Sequence, residues 1–435
     1  MTLDPLLIAG LGFALMLLMI AVHIPIGIAM GFVGMGGFAM VVGWGPALSL
    51  IASEPAATLT NLNLAVIPLF MLMGNLAASA GLANDVYNIA HAFIGHRKGG
   101  LATATVIGCG GFGAVCGSGV ATTATFGRVA LPEMLERGYA PSLASGSIAA
   151  GGTLGIIVPP STIMVLYAIL TEQFVVDLFT AAIIPAIIAV TFYTLAVRAT
   201  VHFDKSAAAE LAPLPWRERF RALLQGWGVM VLSISVLGGI YSGFFTVNEA
   251  AAVGVVIAFA FLIARKGLDI KELGRILVGA STTTAMIYIM VFGATIFSYF
   301  MSVTDAPSMI VNGITALNMP PAGVILAFIA LYIVLGAFFD EVAAMIITIP
   351  FVIPVVQHLG FDLIWWGIIN VIVIEIGMIT PPIGINVMVL NAMRRDIPLQ
   401  QIYKGIFPFF IADMFRLAVL VFFPALTLWL PGMLN

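Results

Sequence analysis

Apolar runs close to twenty residues long follow one another almost from end to end of this chain. A hydrocarbon core of ~30 Å takes about 20 such residues as helix. Only 9% of the residues are charged and 61% are hydrophobic, against roughly 25% charged in an ordinary globular protein. So few charges cannot cover a soluble surface. Length alone suggests about three soluble domains, but these 435 residues read as an all-α polytopic membrane protein set in a lipid bilayer.

The same sequence excludes several mechanisms. A net charge of −3 argues against nucleic acid as a partner. Cys109 and Cys116 sit in an apolar stretch and form neither a disulfide framework nor a zinc spacing. There is no G-x4-G-K-[ST], no H-E-x-x-H, and His23, His91, His96, His202 and His358 are scattered. No cofactor and no enzymatic site are expected. Asp4, not a basic residue, precedes the first apolar run, so Leu6 to Val22 reads as a span rather than a signal peptide.

Candidate spans are 5–22, 24–43, 64–82, 143–172, 177–198, 226–244, 249–265, 277–301 and 406–430, with 363–393 long and broken. Segments 101–137 and 321–357 are apolar throughout, too long for one span, and interrupted by Gly117-Ser118-Gly119 and by Asp340-Glu341. Each is either two spans with a tight turn or a hairpin that re-enters the membrane. Basic residues cluster at 97–98, 128–137, 198–221, 265–275 and 394–404, whereas 44–60, 172–177, 244–248, 302–320 and 358–362 have none. The positive-inside rule makes the first group cytoplasmic and the second external. The N-terminus is then outside, and the two long segments enter from opposite faces. The polar linker 198–225 separates a first half, 1–197, from a second half, 226–435.

The halves are related. Gly155-Ile156-Ile157-Val158-Pro159-Pro160 matches Gly377-Met378-Ile379-Thr380-Pro381-Pro382 at an offset of 222 residues. The same offset aligns Pro132 with Pro354, Gly138 with Gly360, and the Gly117–Gly119 tip with Phe339–Glu341. An odd number of spans between the copies makes the second inverted. Inverted repeats with broken helices point to a secondary transporter.

The breaks carry chemistry. Proline lacks an N–H, so Pro159 and Pro160 free the carbonyls of Gly155 and Ile156, and Pro381 and Pro382 free those of Gly377 and Met378. At membrane depth free carbonyls need protein, water or a cation. Thr153, Ser161 and Thr162 flank the first break, and Glu375, Thr380 and Asn386 the second. Oxygen-only ligands suit a hard cation. Two proline kinks satisfied by neighbouring hydroxyls are the simpler alternative. The first tip, with Thr122 and Thr123, is a small-residue surface suited equally to close helix packing. Carboxylates inside a membrane segment mark a pathway or a partner. Asp340 is the preferred cation ligand over Glu341, unless both are solvated surface charges. Asp413 and Arg416, three apart on a helix, read as an ion pair, Arg128 and Glu133 as interfacial, and Trp365, Trp366 and Trp429 as interface anchors.

The runs GFGAVCGSGVATTATFGRVALPEMLERGY, GGTLGIIVPPS, FFDEVAAMIITIPFVIPV and GMITPPIGIN resemble the large membrane subunit of tripartite ATP-independent periplasmic (TRAP) transporters. That resemblance implies an elevator-type fold, sodium coupling, a bacterial inner-membrane location, and two partners on separate chains. These are a small four-span membrane subunit and a periplasmic binding protein that delivers an organic acid. It also implies a first Na⁺ site at Gly117, Ser118, Gly119, Thr122 and Thr123 with Gly151 and Gly155. The second Na⁺ site would use Phe339, Asp340 and Glu341 with Gly377 and Thr380. Substrate is expected between the tips and the breaks, near Thr153, Pro159, Pro160, Ser161, Pro381, Pro382 and Asn386. C4-dicarboxylates, sialic acid, other sugar acids and sulfonates all remain open as substrates. A channel or uniporter without a binding protein is the competing function; it requires repeated polar rings, and only two polar clusters stand out.

Overall fold

A computed structural model describes residues 5–317 and 319–434. Asp4 lies outside the described residues. Among them the regular structure is entirely helical. The first half runs α1 (Pro5–Ala21), α2 (Ile26–Val42), α3 (Trp44–Thr60), a 3-10 turn at Leu62–Ala65, α4 (Val66–Ser79), α5 (Leu82–Ile94), α6 (Gly100–Cys116), α7 (Gly119–Glu136), α8 (Pro141–Ile157), α9 (Thr162–Leu170) and α10 (Val175–Phe203). The linker contains α11 (Trp216–Gln225). There follow α12 (Trp227–Ser233), a π turn at Ile234–Gly238, α13 (Gly239–Tyr241), α14 (Val247–Lys266), α15 (Ile270–Val303) and α16 (Ala306–Ala316). The chain ends with α17 (Pro321–Phe338), α18 (Glu341–His358), α19 (Leu363–Met378), α20 (Ile385–Met393), α21 (Leu399–Phe422) and α22 (Ala425–Leu434). Among the described residues seven helices are long and apolar enough to cross a bilayer, or up to nine if each bent pair counts as one span.

Helix boundaries recur at the offset found in the sequence. Shifted by 222 residues, the bounds of α7 become 341–358, those of α18. α6, α8, α9 and α10 land within three residues of α17, α19, α20 and α21. α1, α2 and α5 similarly fall on the α12–α13 segment, α14 and α16. The local signals that start these helices differ between halves. Asp340 and Asp362 accept N-terminal backbone N–H groups of α18 and α19, whereas Pro141 opens α8.

Several expected loops are helical. Segment 44–60 forms α3, and 302–320 contains α16. Both lack the unbroken apolar run by which spans are recognised, and α3 carries Pro55. α5 escapes the same test because Asn84, Asp85, Asn88 and His91 interrupt it. The expected span 177–198 belongs to a helix that continues to Phe203, into the linker. The expected span 406–430 is two helices, α21 and α22, separated at Phe423-Pro424, where proline cannot continue the hydrogen-bond ladder. Trp365 and Trp366 are not interface anchors. They are 2% and 0% exposed, Trp365 Nε1 donates to the Leu420 carbonyl at 3.1 Å, and its ring stacks on Phe361. An apolar ring at a helix start packs inward where neighbouring helices surround it. Trp429, 57% exposed, keeps its expected outward position.

α8 and α19 occupy the centre. Every residue of α8 from Leu143 to Ile157 is buried, and so is every residue of α19 from Trp365 to Met378. Around them pack α6, α7 and α21 on one side and α17 and α18 on the other. The two proline-broken segments are therefore the axis of the molecule.

Candidate functional site at the broken helices

The first hairpin turns at Gly117, whose φ of +64° suits glycine, and α7 restarts at Gly119. Its tip is docked on the first break. Thr162 Oγ1 donates to the Gly117 carbonyl at 3.0 Å, and a side chain on Gly117 would meet the Pro160 carbonyl at 2.7 Å. Thr122 lies directly against Gly155 and Thr123 against Gly152. Both threonines are buried, and among the described residues the Thr123 hydroxyl has no hydrogen-bond partner. Gly119 faces Ile156. Gly151 faces Cys109 on α6, with the Sγ 3.1 Å from where a Cβ would stand, so it belongs to a different contact from Gly155.

The second hairpin turns through Phe339, extended and half-buried. Asp340 spends one carboxylate oxygen, Oδ1, on the Val342 and Ala343 N–H groups at 3.0 and 2.9 Å. It is a helix cap. Glu341 is the carboxylate aimed inward. It is 7% exposed, its Oε1 lies 3.5 Å from the Ser118 hydroxyl of the other tip, and its Oε2 is buried without a hydrogen-bond partner among the described residues. The two hairpins thus meet tip to tip.

At the second break one freed carbonyl is reused. Thr380 N–H donates to Gly377 O at 2.9 Å, so that oxygen is closed by a turn. Thr380 Oγ1 donates to the Ile376 carbonyl at 2.6 Å, and Gly384 N–H donates to Ala337 O at 3.1 Å, tying break to hairpin. Gly377 packs on Gly336 of α17, where a Cβ would come within 2.6 Å of the Gly336 Cα. Asn386 crosses to the other half, its Nδ2 donating to Ala149 O at 3.2 Å, and its Oδ1 is buried without a partner. The breaks differ in exposure. Pro159, Pro160 and Ser161 are buried, and Ser161 caps α9; Pro381 and Pro382 are exposed, and Tyr403 donates to the Pro382 and Ile383 carbonyls.

Thr153 turns away from the tips. Its hydroxyl donates to Ala150 O and lies 3.2 Å from the Tyr193 phenol, which donates to Asp413 Oδ2 at 2.6 Å. Arg416 Nη2 is 3.0 Å from Asp413 Oδ1 and 3.0 Å from Glu375 Oε2, with both side chains of the Glu375 pair fully buried. The expected Asp413–Arg416 pair exists but is open to a third member. Glu375 therefore serves this cluster. Tyr193 escaped the sequence reading because an isolated tyrosine in an apolar run carries no motif. Near the middle of α18, Thr348 donates to the Tyr332 phenol, beside Asn370, a second polar group that had no sequence signal either. Arg128 is exposed and Glu133 pairs with Arg137 at 2.9 Å.

Among the described residues no three His, Cys, Asp or Glu side chains gather as they would around a transition metal. The tips instead offer oxygen atoms: the Glu341 carboxylate, the Thr122 and Thr123 hydroxyls and backbone carbonyls, a donor set that fits a hard cation.

Apolar helices enclosing two broken ones, each met by a hairpin tip, define a polytopic all-α membrane protein of the transporter kind. The crystal structure of the Alcanivorax borkumensis YdaH transporter shares this fold, with a TM-score of 0.59 at 15% identity over 89% of this chain and 90% of that one. Residues 13–426 match the family described as tripartite ATP-independent periplasmic transporter, DctM component, and the chain belongs to that family. It is 33% identical to the C4-dicarboxylate TRAP transporter large permease protein DctM of Pseudomonas aeruginosa, over 87% of this chain and 88% of the relative. It is 29% identical to the isethionate TRAP transporter permease protein DctMQ of Oleidesulfovibrio alaskensis, over 99% of this chain and 67% of that longer one.

Proposed function

We propose that this permease subunit imports a small organic anion, a carboxylate or sulfonate, by sodium symport. The anion is delivered by a periplasmic binding protein, and a small four-span membrane subunit completes the complex. The contact between Ser118 and Glu341 carries the reading. It joins the two hairpins at their tips, where, among the described residues, a buried carboxylate oxygen stands without a protein partner. Such a group is costly while charged unless a cation neutralises it, and it otherwise takes up a proton. Na⁺ held by Glu341, the tip hydroxyls and nearby carbonyls would supply that charge. The relatives named for C4-dicarboxylate and isethionate transport support an anionic substrate. The longer DctMQ chain supports an accompanying membrane part.

The two halves are inverted repeats, with the N-terminus periplasmic in an inner membrane. The hairpins and broken helices move as one body against the remaining helices, in the manner of an elevator. Broken helices at a repeat interface are the usual place for coupling ions. The test is uptake into proteoliposomes holding this chain with its small subunit, with binding protein and substrate outside, with and without an inward sodium gradient. Uptake is expected only with the gradient and both partners. Robust uptake by this chain alone would point to a uniporter and end the tripartite reading.

A further inference from the structure

The linker helix α11 has three distinct faces. At about 100° per residue, Ala222, Leu223 and Arg219 fall on one side, and these are its half-buried residues. That side rests on α5, where Gly226 beyond the helix end fits against Ile89. The next side is a stripe of Trp216, Phe220, Leu224 and, past the end, Trp227, which are 65%, 58%, 73% and 53% exposed. Arg217 and Arg221 border that stripe and are exposed, with Glu218 farther round. Arg219 lies 4.9 Å from the Trp216 ring and donates to the Leu214 carbonyl, so it steadies the tryptophan.

A helix face this exposed and apolar needs a cover, and its surroundings indicate which. After a bend of 46° the chain enters the segment Trp227–Tyr241, which together with α11 is long and apolar enough to cross a bilayer. The outward residues of that segment, Met230, Val231 and Ile234, continue the stripe without a gap. The face of α11 is thus continuous with the exposed apolar surface of a candidate span, and Arg217 and Arg221 border it. Aromatic and leucine side chains on one face with basic residues beside them define a helix that lies in the membrane interface. Basic side chains there favour anionic lipid.

We infer that α11 is an anionic-lipid docking site that seats the linker between the two halves on the bilayer surface. The side of the membrane follows from the topology proposed above; lipid contact does not depend on it. The test uses the full chain with Cys109→Ala, Cys116→Ala and Leu224→Cys, labelled with an environment-sensitive fluorophore. It is reconstituted in vesicles of phosphatidylcholine alone or mixed with phosphatidylglycerol, each with doxyl-labelled lipid. Strong quenching by shallow doxyl lipid is expected in the mixed vesicles, together with protection from aqueous iodide. Arg217→Gln with Arg221→Gln should lower that quenching severalfold while leaving thermal stability unchanged. Three results would overturn the inference: iodide access in every vesicle, equal quenching with and without phosphatidylglycerol, or shielding that arises only when the small subunit is added.

Discussion

Thr153 and Glu375 stand 222 residues apart at matching places on α8 and α19, and both reach one buried cluster, Thr153 through Tyr193 and Glu375 through Arg416. The two broken helices are therefore tied at equivalent positions to the same pair of residues on α21, Asp413 and Arg416. This tie spans both halves of the chain and sits just before each break.

Removing Arg416 should be severe. Arg416→Met leaves Glu375 and Asp413 as buried carboxylates without their cation, which costs about 3–5 kcal/mol. Tyr193→Phe removes one donor and should cost about 1–3 kcal/mol. Thermal unfolding of the purified protein in detergent checks both. An Arg416→Met protein as stable as the parent would show that the cluster does not brace the fold.

The two neighbouring carboxylates at the second tip should behave differently. Asp340→Asn keeps an oxygen that caps α18, and asparagine caps as well as aspartate, so uptake and its sodium dependence should change little. Glu341→Gln removes the inward negative charge and should raise the sodium concentration for half-maximal uptake severalfold. Asp305→Asn, on an exposed helix start, should be silent. If Asp340→Asn alone shifted the sodium dependence, the cation would have to be assigned to the cap.

Close backbone approach at the second break predicts intolerance of a methyl group. In Gly377→Ala the new Cβ meets the Gly336 Cα at 2.6 Å, backbone against helix, and nothing flexible can yield. Such overpacking costs about 1–3 kcal/mol. Gly432→Ala, with open space around it, should leave the unfolding midpoint where it was.

Sidedness can be read by labelling. Cys109 and Cys116 are buried, and replacing them leaves a clean background. Ser308→Cys on α16 and Lys205→Cys in the linker are both exposed positions. In intact cells a membrane-impermeant maleimide should reach the first and not the second. Equal labelling of the two would contradict halves of opposite orientation.

Much of this was legible in the sequence because proline and glycine act locally. The Pro-Pro pairs, the small-residue tip and the 222-residue offset each carry a backbone consequence that survives without tertiary information. Side-chain partners do not. That Asp340 turns back to cap its own helix while Glu341 crosses to Ser118 depends on how two hairpins dock. Thr153 and Glu375 flank breaks in the sequence, yet the helix faces they occupy aim them at Tyr193 and Arg416. Position at a span end also misplaced Trp365 and Trp366, since it does not tell whether protein or the membrane interface surrounds the ring.

The unequal exposure of the two breaks has a further meaning. Pro159 and Pro160 are enclosed, while Pro381 and Pro382, at equivalent places in a closely matching helix plan, are open. If the proposed repeat holds, such a body has a twin, obtained by exchanging the conformations of its halves. In that twin the first break would open and the second would close. The pair would be degenerate if the halves were identical. Every difference between them, Thr153 against Glu375 or the Gly117–Gly119 tip against Phe339–Glu341, is then a bias on which twin is occupied.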